Sequence, residues 1–157
     1  MEFPLPPGVT AEQFLMHGQA VLAKQPFSVL IGAQLTALVP GQCQLELPIT
    51  VQLQQQHGFA HGGVVSYLAD NALTYAGGTA MQVPVVTSGF TINYLRPGIG
   101  ERLIARAEVV HLSKSQAVCR CDVFAVKAGE EKLCAVAQGT ITRLGGDSAE
   151  RGDVAQP

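Results

Sequence analysis

From residue 61 to about residue 81, Val64, Val65, Leu68, Ala69, Ala72, Leu73 and Ala76 recur at helical spacing, and after Pro84 the apolar residues switch to period two. That switch is what most constrains the fold. A helix that is apolar on most sides has to be buried. A run of alternating segments supplies the sheet to bury it. The small residues of the helix permit close approach by that sheet. Gly77-Gly78 weakens its end, and Pro84 cannot continue it.

In the second half, Val86, Phe90, Ile92 and Tyr94 are expected on one strand face. Leu103, Ala105, Ala107 and Val109 should face inward against outward Arg102, Arg106 and Glu108. Cys119, Cys121, Val123 and Ala125 oppose Arg120 and Asp122, and Leu133, Ala135, Ala137, Gly139 and Ile141 oppose Gln138, Thr140 and Thr142. Turns fall at 96–100, 111–115 and 127–132. Ahead of the long helix, Thr10-Ala11-Glu12-Gln13 is a capping box that opens a peripheral helix ending near Pro26. Runs at 33–39 and 42–48, split by Pro40-Gly41, read as a hairpin. The glutamine-rich stretch 51–60 reads as a loop. The expected class is α+β: one helix, two strands, a long central helix, then four antiparallel strands.

The chain has 157 residues, enough for one domain with a core that needs no metal or disulfide staple. Ten basic and twelve acidic residues, a net charge of −2, leave no electrostatic footprint for nucleic acid or an anionic membrane. The N-terminus has no basic residue and no long apolar run, so no secretory signal is expected and the protein should be cytoplasmic. Cys43, Cys119, Cys121 and Cys134 all fall in strand-like segments and read as buried free thiols rather than metal ligands.

The residues best suited to chemistry lie at the start of the long helix. In His57-Gly58-Phe59-Ala60-His61-Gly62-Gly63, paired glycines open a helix whose N-terminus offers unpaired N–H groups and partial positive charge, a place to hold a polarised carbonyl oxygen. Asp70 stands seven residues after Gly63 in otherwise apolar surroundings, where a carboxylate is costly. Seven residues bring the two onto one helix face but ~10.5 Å apart along the axis. One carbonyl cannot touch both within one chain. A second copy, with its helix alongside in the antiparallel sense, would bring Gly63 of one protomer to Asp70 of the other.

With these residues in place, the chain resembles the hotdog-fold acyl-CoA thioesterases, of the phenylacetate-pathway type within the 4-hydroxybenzoyl-CoA thioesterase superfamily. The resemblance covers residues 35–144. That branch carries Asn-x-x-Gly-x-x-His-Gly-Gly with an aspartate nine residues after the histidine; here the stretch runs from Gln55 to Gly63, and Asp70 lies nine beyond His61. The resemblance implies an antiparallel sheet wrapped around a long helix, with residues 1–34 as an N-terminal extension; residues 145–157, polar and rich in small residues, read as a disordered tail. It implies hydrolysis of an acyl-CoA without cofactor or metal, by a homodimer or a dimer of dimers. Gly63 N–H would polarise the thioester carbonyl, and Asp70 of the partner would attack it or activate water. Thr87, or its neighbour Ser88, would orient that water. Gln55 stands where the family has asparagine, one methylene longer and flanked by Gln54 and Gln56. His61 is expected to orient the loop and cap the helix rather than act as base.

Substrate contacts are expected from Gly62, from Phe59 and Tyr67 around the acyl group, and from Arg96, Lys114 and Ser115 toward the CoA phosphates. Thioester hydrolysis asks mainly for an oxyanion donor and a placed carboxylate. The chain has no HExxH, CxxC, P-loop or G-x-S-x-G stretch that would point to another class. The competing reading is a non-catalytic acyl-CoA or acyl-carrier binding protein on the same scaffold, which would have no use for Asp70. A dehydratase would want a different His/Asp or His/Glu pair near the helix start. The mixed face Thr87, Gly89, Thr91 and Asn93 leaves open a back-to-back pairing of two dimers.

Overall fold

Thr10 opens the first helix. Its hydroxyl accepts the Gln13 N–H at 3.2 Å, and the Gln13 side chain accepts the Thr10 N–H at 2.9 Å, so two N–H groups that the first turn leaves free find partners. In the computed structural model, which describes residues 2–145, this helix α1 spans Ala11–Leu22. A second helix, α2 (Pro26–Ile31), follows where only the end of the first is expected. Pro26 occupies its first turn, where the missing N–H costs nothing and the fixed φ is already helical. Proline here starts a helix instead of ending one. Gly32, at φ 77°, closes it in the left-handed conformation.

The strands are β1 (Gln34–Val39), β2 (Gln42–Pro48), β3 (Val85–Tyr94), β4 (Arg102–Leu112), β5 (Gln116–Lys127) and β6 (Glu130–Arg143). They form one antiparallel sheet in the order β1-β2-β4-β5-β6-β3. Between β2 and β3 the chain makes a 3-10 turn, Val51–Leu53, and then the long helix α3 (Gly62–Met81), which passes across the sheet and delivers β3 to its far edge. The sheet thus wraps around one helix, as the resemblance implied.

Why α3 is so rich in small residues follows from how closely it lies on the sheet. Leu68, Ala69, Ala72, Leu73 and Ala76 are fully buried. A Cβ added at Gly77 would come within 2.7 Å of the Ile141 side chain, so only glycine permits this approach. Leu45, Leu47, Leu103, Ala105, Cys119, Cys121 and Val123 form the sheet's side of the same core. Leu22 of α1 and Ile31 of α2 join it, so the N-terminal helices pack into the core of residues 35–144. The tail expected to be disordered lies, after Gly145, outside the described residues.

Two bulges alter the expected alternation. In β3 the register shifts between Thr87 and Gly89, making Ser88 the extra residue. As a result Val85 and Thr87 share the partly covered face with Phe90 and Ile92, while Val86 is 44 % and Tyr94 54 % exposed. The expected face Val86, Phe90, Ile92 and Tyr94 is therefore broken at Ser88. In β6 the partners skip from Leu133 to Ala135, and Cys134 is buried in place of the half-exposed Leu133.

Candidate active site

The face of α3 opposite its fully buried side carries Gly63, Tyr67, Asp70, Asn71 and Thr74, spaced at helical intervals and all exposed or half-buried, with Asp70 and Thr74 reaching the edge strand β3. At its N-terminus His61 is the cap. Its backbone is extended, its carbonyl accepts the N–H groups of Val64 and Val65, and its Nδ1 accepts the Gly63 N–H at 2.9 Å. The N–H singled out from the sequence is thus present at the helix start and held by the His61 imidazole.

A cavity of about 540 Å³ opens beside that turn, lined by Phe59, Gly62, Gly63, Tyr94, Arg96 and neighbouring residues. Four of the expected site residues therefore gather at this end of α3. Phe59 also stacks on His57, with ring centroids 6.1 Å apart. Gln55 turns elsewhere: its side-chain oxygen accepts the His57 N–H, and its backbone closes the turn to Phe59 and Gly58.

Asp70 lies two turns further along. Thr87 Oγ1 donates to Asp70 Oδ1 at 2.7 Å. Thr74, one turn after Asp70, has its hydroxyl 2.9 Å from that of Thr87 and 2.9 Å from the Asp70 carbonyl. Each hydroxyl has one proton. Thr87 gives its proton to Asp70 Oδ1, so the single Thr74 proton is shared between the Asp70 carbonyl and Thr87 Oγ1. Sequence reading missed Thr74, although its i+4 spacing from Asp70 was a signal.

Ser88, the extra residue of the bulge, is exposed and lines a different cavity on the outer sheet face with Gln116, Gln138 and Thr140. Lys114 and Ser115 are exposed in the β4–β5 turn, and the Ser115 carbonyl accepts the Arg143 N–H at 3.2 Å. Since Gln116 pairs with Thr142 and Thr142 with Val86, that turn belongs to the Thr87 end of the sheet. Gly62, Gly63, Phe59 and Arg96 thus form one group, Asp70 and Thr87 another, and one chain does not unite them.

Tyr67, expected to contact substrate, lies between the two groups and is tied to α2. Its hydroxyl donates to Ser28 Oγ at 2.5 Å and accepts from Asn71 Nδ2 at 3.0 Å, while Ser28 and Asn71 both donate to Gln25 Oε1. Ser28 is 1 % exposed, so its polar group depends on this network. Phe27 packs edge-on against Tyr67, centroids 5.1 Å apart, and is itself 53 % exposed. Sequence reading found no part of this cluster beyond Tyr67, because the helix that carries Ser28 was not expected.

Arg120 pairs with Asp122 at 3.2 Å and Glu108 at 3.6 Å, and Arg106 makes a two-pronged pair with Glu131. The four cysteines are buried and unpaired. Burial pushes the Cys119 thiol up to about 12, and burial with the nearby Asp122 does the same for Cys121. Cys43 and Cys134 are raised by the same cause, which keeps all four protonated and unreactive.

The sequence pattern of the thioesterase superfamily matches residues 57–132. The acyl-coenzyme A thioesterase PaaI of Escherichia coli is 32 % identical over 117 residues, which are 74 % of this chain and 81 % of that protein. The 1,4-dihydroxy-2-naphthoyl-CoA hydrolase of Listeria monocytogenes is 27 % identical over 115 residues, 71 % of this chain and 89 % of that protein. Among solved structures, a thioesterase family protein from Silicibacter pomeroyi superposes with a TM-score of 0.78 at 34 % identity, covering 87 % of this chain and 100 % of its own. Sharing close to a third of its residues with a CoA thioesterase across most of both chains, and the fold of a solved thioesterase family protein, the chain belongs to the thioesterase superfamily and is a hotdog-fold thioester hydrolase.

Proposed function

We propose that this protein hydrolyses acyl-CoA thioesters at a site shared by two copies of the chain, one giving the Gly63 N–H and its partner the Asp70 carboxylate. The carrying observation is that both groups occupy the uncovered face of α3, each with its own supporting residues, yet seven residues apart. Two turns of helix are too long a gap for one carbonyl group to bridge. The edge of β3 away from β6 has no strand partner among the described residues, and antiparallel pairing of two such edges would set two α3 helices in opposite senses.

In this reading the thioester oxygen takes the place of His61 Nδ1 as acceptor of the Gly63 N–H. Negative charge developing on that oxygen meets a donor at the positive end of a helix. The Asp70 carboxyl group, oriented by Thr87, attacks the carbonyl carbon or takes a proton from the water that does. The carbon–sulfur bond then breaks and the thiolate of CoA gains a proton; after direct attack by Asp70 the acyl group is left as an anhydride on the carboxylate, which water hydrolyses to the free acid, whereas after attack by water the free acid forms at once. Arg96 at the cavity and Lys114 of the partner's opposite end are the cations for the CoA phosphates. Phe59 and Tyr67 flank the acyl group. The protonated thiols suit a reducing cytoplasm.

The test is release of free thiol from a panel of aryl and straight-chain acyl-CoAs. Asp70→Asn is expected to lower kcat at least ~100-fold with ligand affinity and dimerisation retained. A protein that binds these ligands and leaves them intact would instead be a binding module.

A further inference from the structure

Tyr94 has no part in the chemistry so far described, yet its hydroxyl donates to the Gly62 carbonyl at 3.0 Å. The Gly62 C=O and the Gly63 N–H are the two ends of one amide group. A proton donor on the oxygen draws electron density through the planar C–N bond and strengthens the same amide as a donor at nitrogen. We infer that Tyr94 is a positioning residue that polarises and fixes the Gly62–Gly63 amide as the oxyanion donor, an inference that rests on the reading of Gly63 given above.

The surroundings suit that task. A Cβ on Gly62 would stand 3.6 Å from the Tyr94 ring, so the ring already rests against this turn. The strand behind it is pinned, because Tyr94 pairs with Ala135 and the next N–H, of Leu95, donates to the Cys134 carbonyl at 2.8 Å. Tyr94 and Gly63 both line the same cavity, from which a ligand oxygen can replace His61 Nδ1 as acceptor of the Gly63 N–H. One strand, β3, thereby supports both halves of the chemistry: Thr87 near its start holds the Asp70 carboxylate, and Tyr94 at its end holds the amide.

The experiment uses an acyl-CoA labelled with carbon-13 at the carbonyl, bound to full-length Asp70→Asn protein, with the carbonyl stretch read by infrared spectroscopy. With Tyr94 present the band is expected at lower frequency than in water. Tyr94→Phe should recover about half of that displacement and, with Asp70 intact, lower kcat about 3- to 10-fold with KM unchanged. Fluorotyrosine at position 94, a stronger donor of nearly the same shape, should deepen the displacement; a purely structural role would leave it unmoved. A displaced band that ignores both changes overturns the role of Tyr94 alone. No displacement even with Tyr94 present removes the reading of Gly63, and this inference with it.

Discussion

Thr87 Oγ1 donates to Asp70 Oδ1 at 2.7 Å because a bulge at Ser88 changes which residues of β3 face the helix. Without the extra residue, the alternation that puts Phe90 and Ile92 toward α3 would turn Val86 inward and Thr87 outward. The bulge therefore selects the residue that orients the carboxylate. Thr87→Val is expected to lower kcat about 10-fold or more, the scale of one hydrogen bond to a charged group. Thr87→Ser should restore it to within about threefold, since the hydroxyl and its reach are kept. Ser88→Ala, on the outer face, should leave turnover within about twofold, as for surface changes away from the site. Steady-state kinetics on the three variants decides between the neighbours, and loss of activity in Ser88→Ala with a silent Thr87→Val would reverse the choice.

His61 holds the Gly63 N–H with Nδ1, so its removal should weaken the helix start more than the chemistry. His61→Ala is expected to cost about 1 kcal/mol and lower Tm by about 2–4 °C, the scale of a lost cap in a domain of this size. Its kcat should stay within about tenfold of the parent, where loss of a general base would cost 10²–10⁴. A pH–rate profile that loses a limb in His61→Ala would make the imidazole a base after all.

The buried thiols set an alkaline limit on stability. Cys119 and Cys121 ionise in the folded chain near 12, against an ordinary value of 9.0. Below pH 9 both states keep their protons and nothing is lost. Between about 9 and 12 the unfolded chain releases thiol protons that the folded chain retains, so stability falls as pH rises, by up to about tenfold in the folding constant per pH unit for each thiol. Urea midpoints measured from pH 7 to 11 should decline from about pH 9, and Cys119→Ala with Cys121→Ala should flatten the decline.

The long helix and β2 were legible because each has an unbroken period and a clear boundary, Pro84 after the one and Pro40-Gly41 before the other. Helix α2 was not, since six residues are too few to show a period and Pro26 reads equally as an end or a beginning. The β3 bulge leaves no mark in the alternation beyond Ser88-Gly89, so the face of Val86 was read one residue out. The placement of Gly63 and Asp70 two turns apart on one helix was legible because the spacing of a helix is local. Thr74, Tyr94 and Ser28 were not, because their roles depend on hydroxyl groups reaching other elements, 13, 32 and 39 residues away in sequence.

The division of the site between two chains can be tested by complementation. Gly63→Pro removes the N–H at the second position of α3, where the first turn tolerates proline, and Asp70→Asn removes the carboxylate. Each variant alone is expected to be inactive. In a dimer containing one of each, one site combines both defects and the other combines Gly63 of the Asp70→Asn chain with Asp70 of the Gly63→Pro chain, both native. Random association makes about half of all dimers mixed, with one working site in two, so co-refolded variants should regain about one quarter of the parent activity. If a single chain supplied both groups, every site in the mixture would carry a defect. Co-refolding that yields mixed dimers but no recovered thiol release would therefore place Gly63 and Asp70 in separate roles and end the shared-site reading.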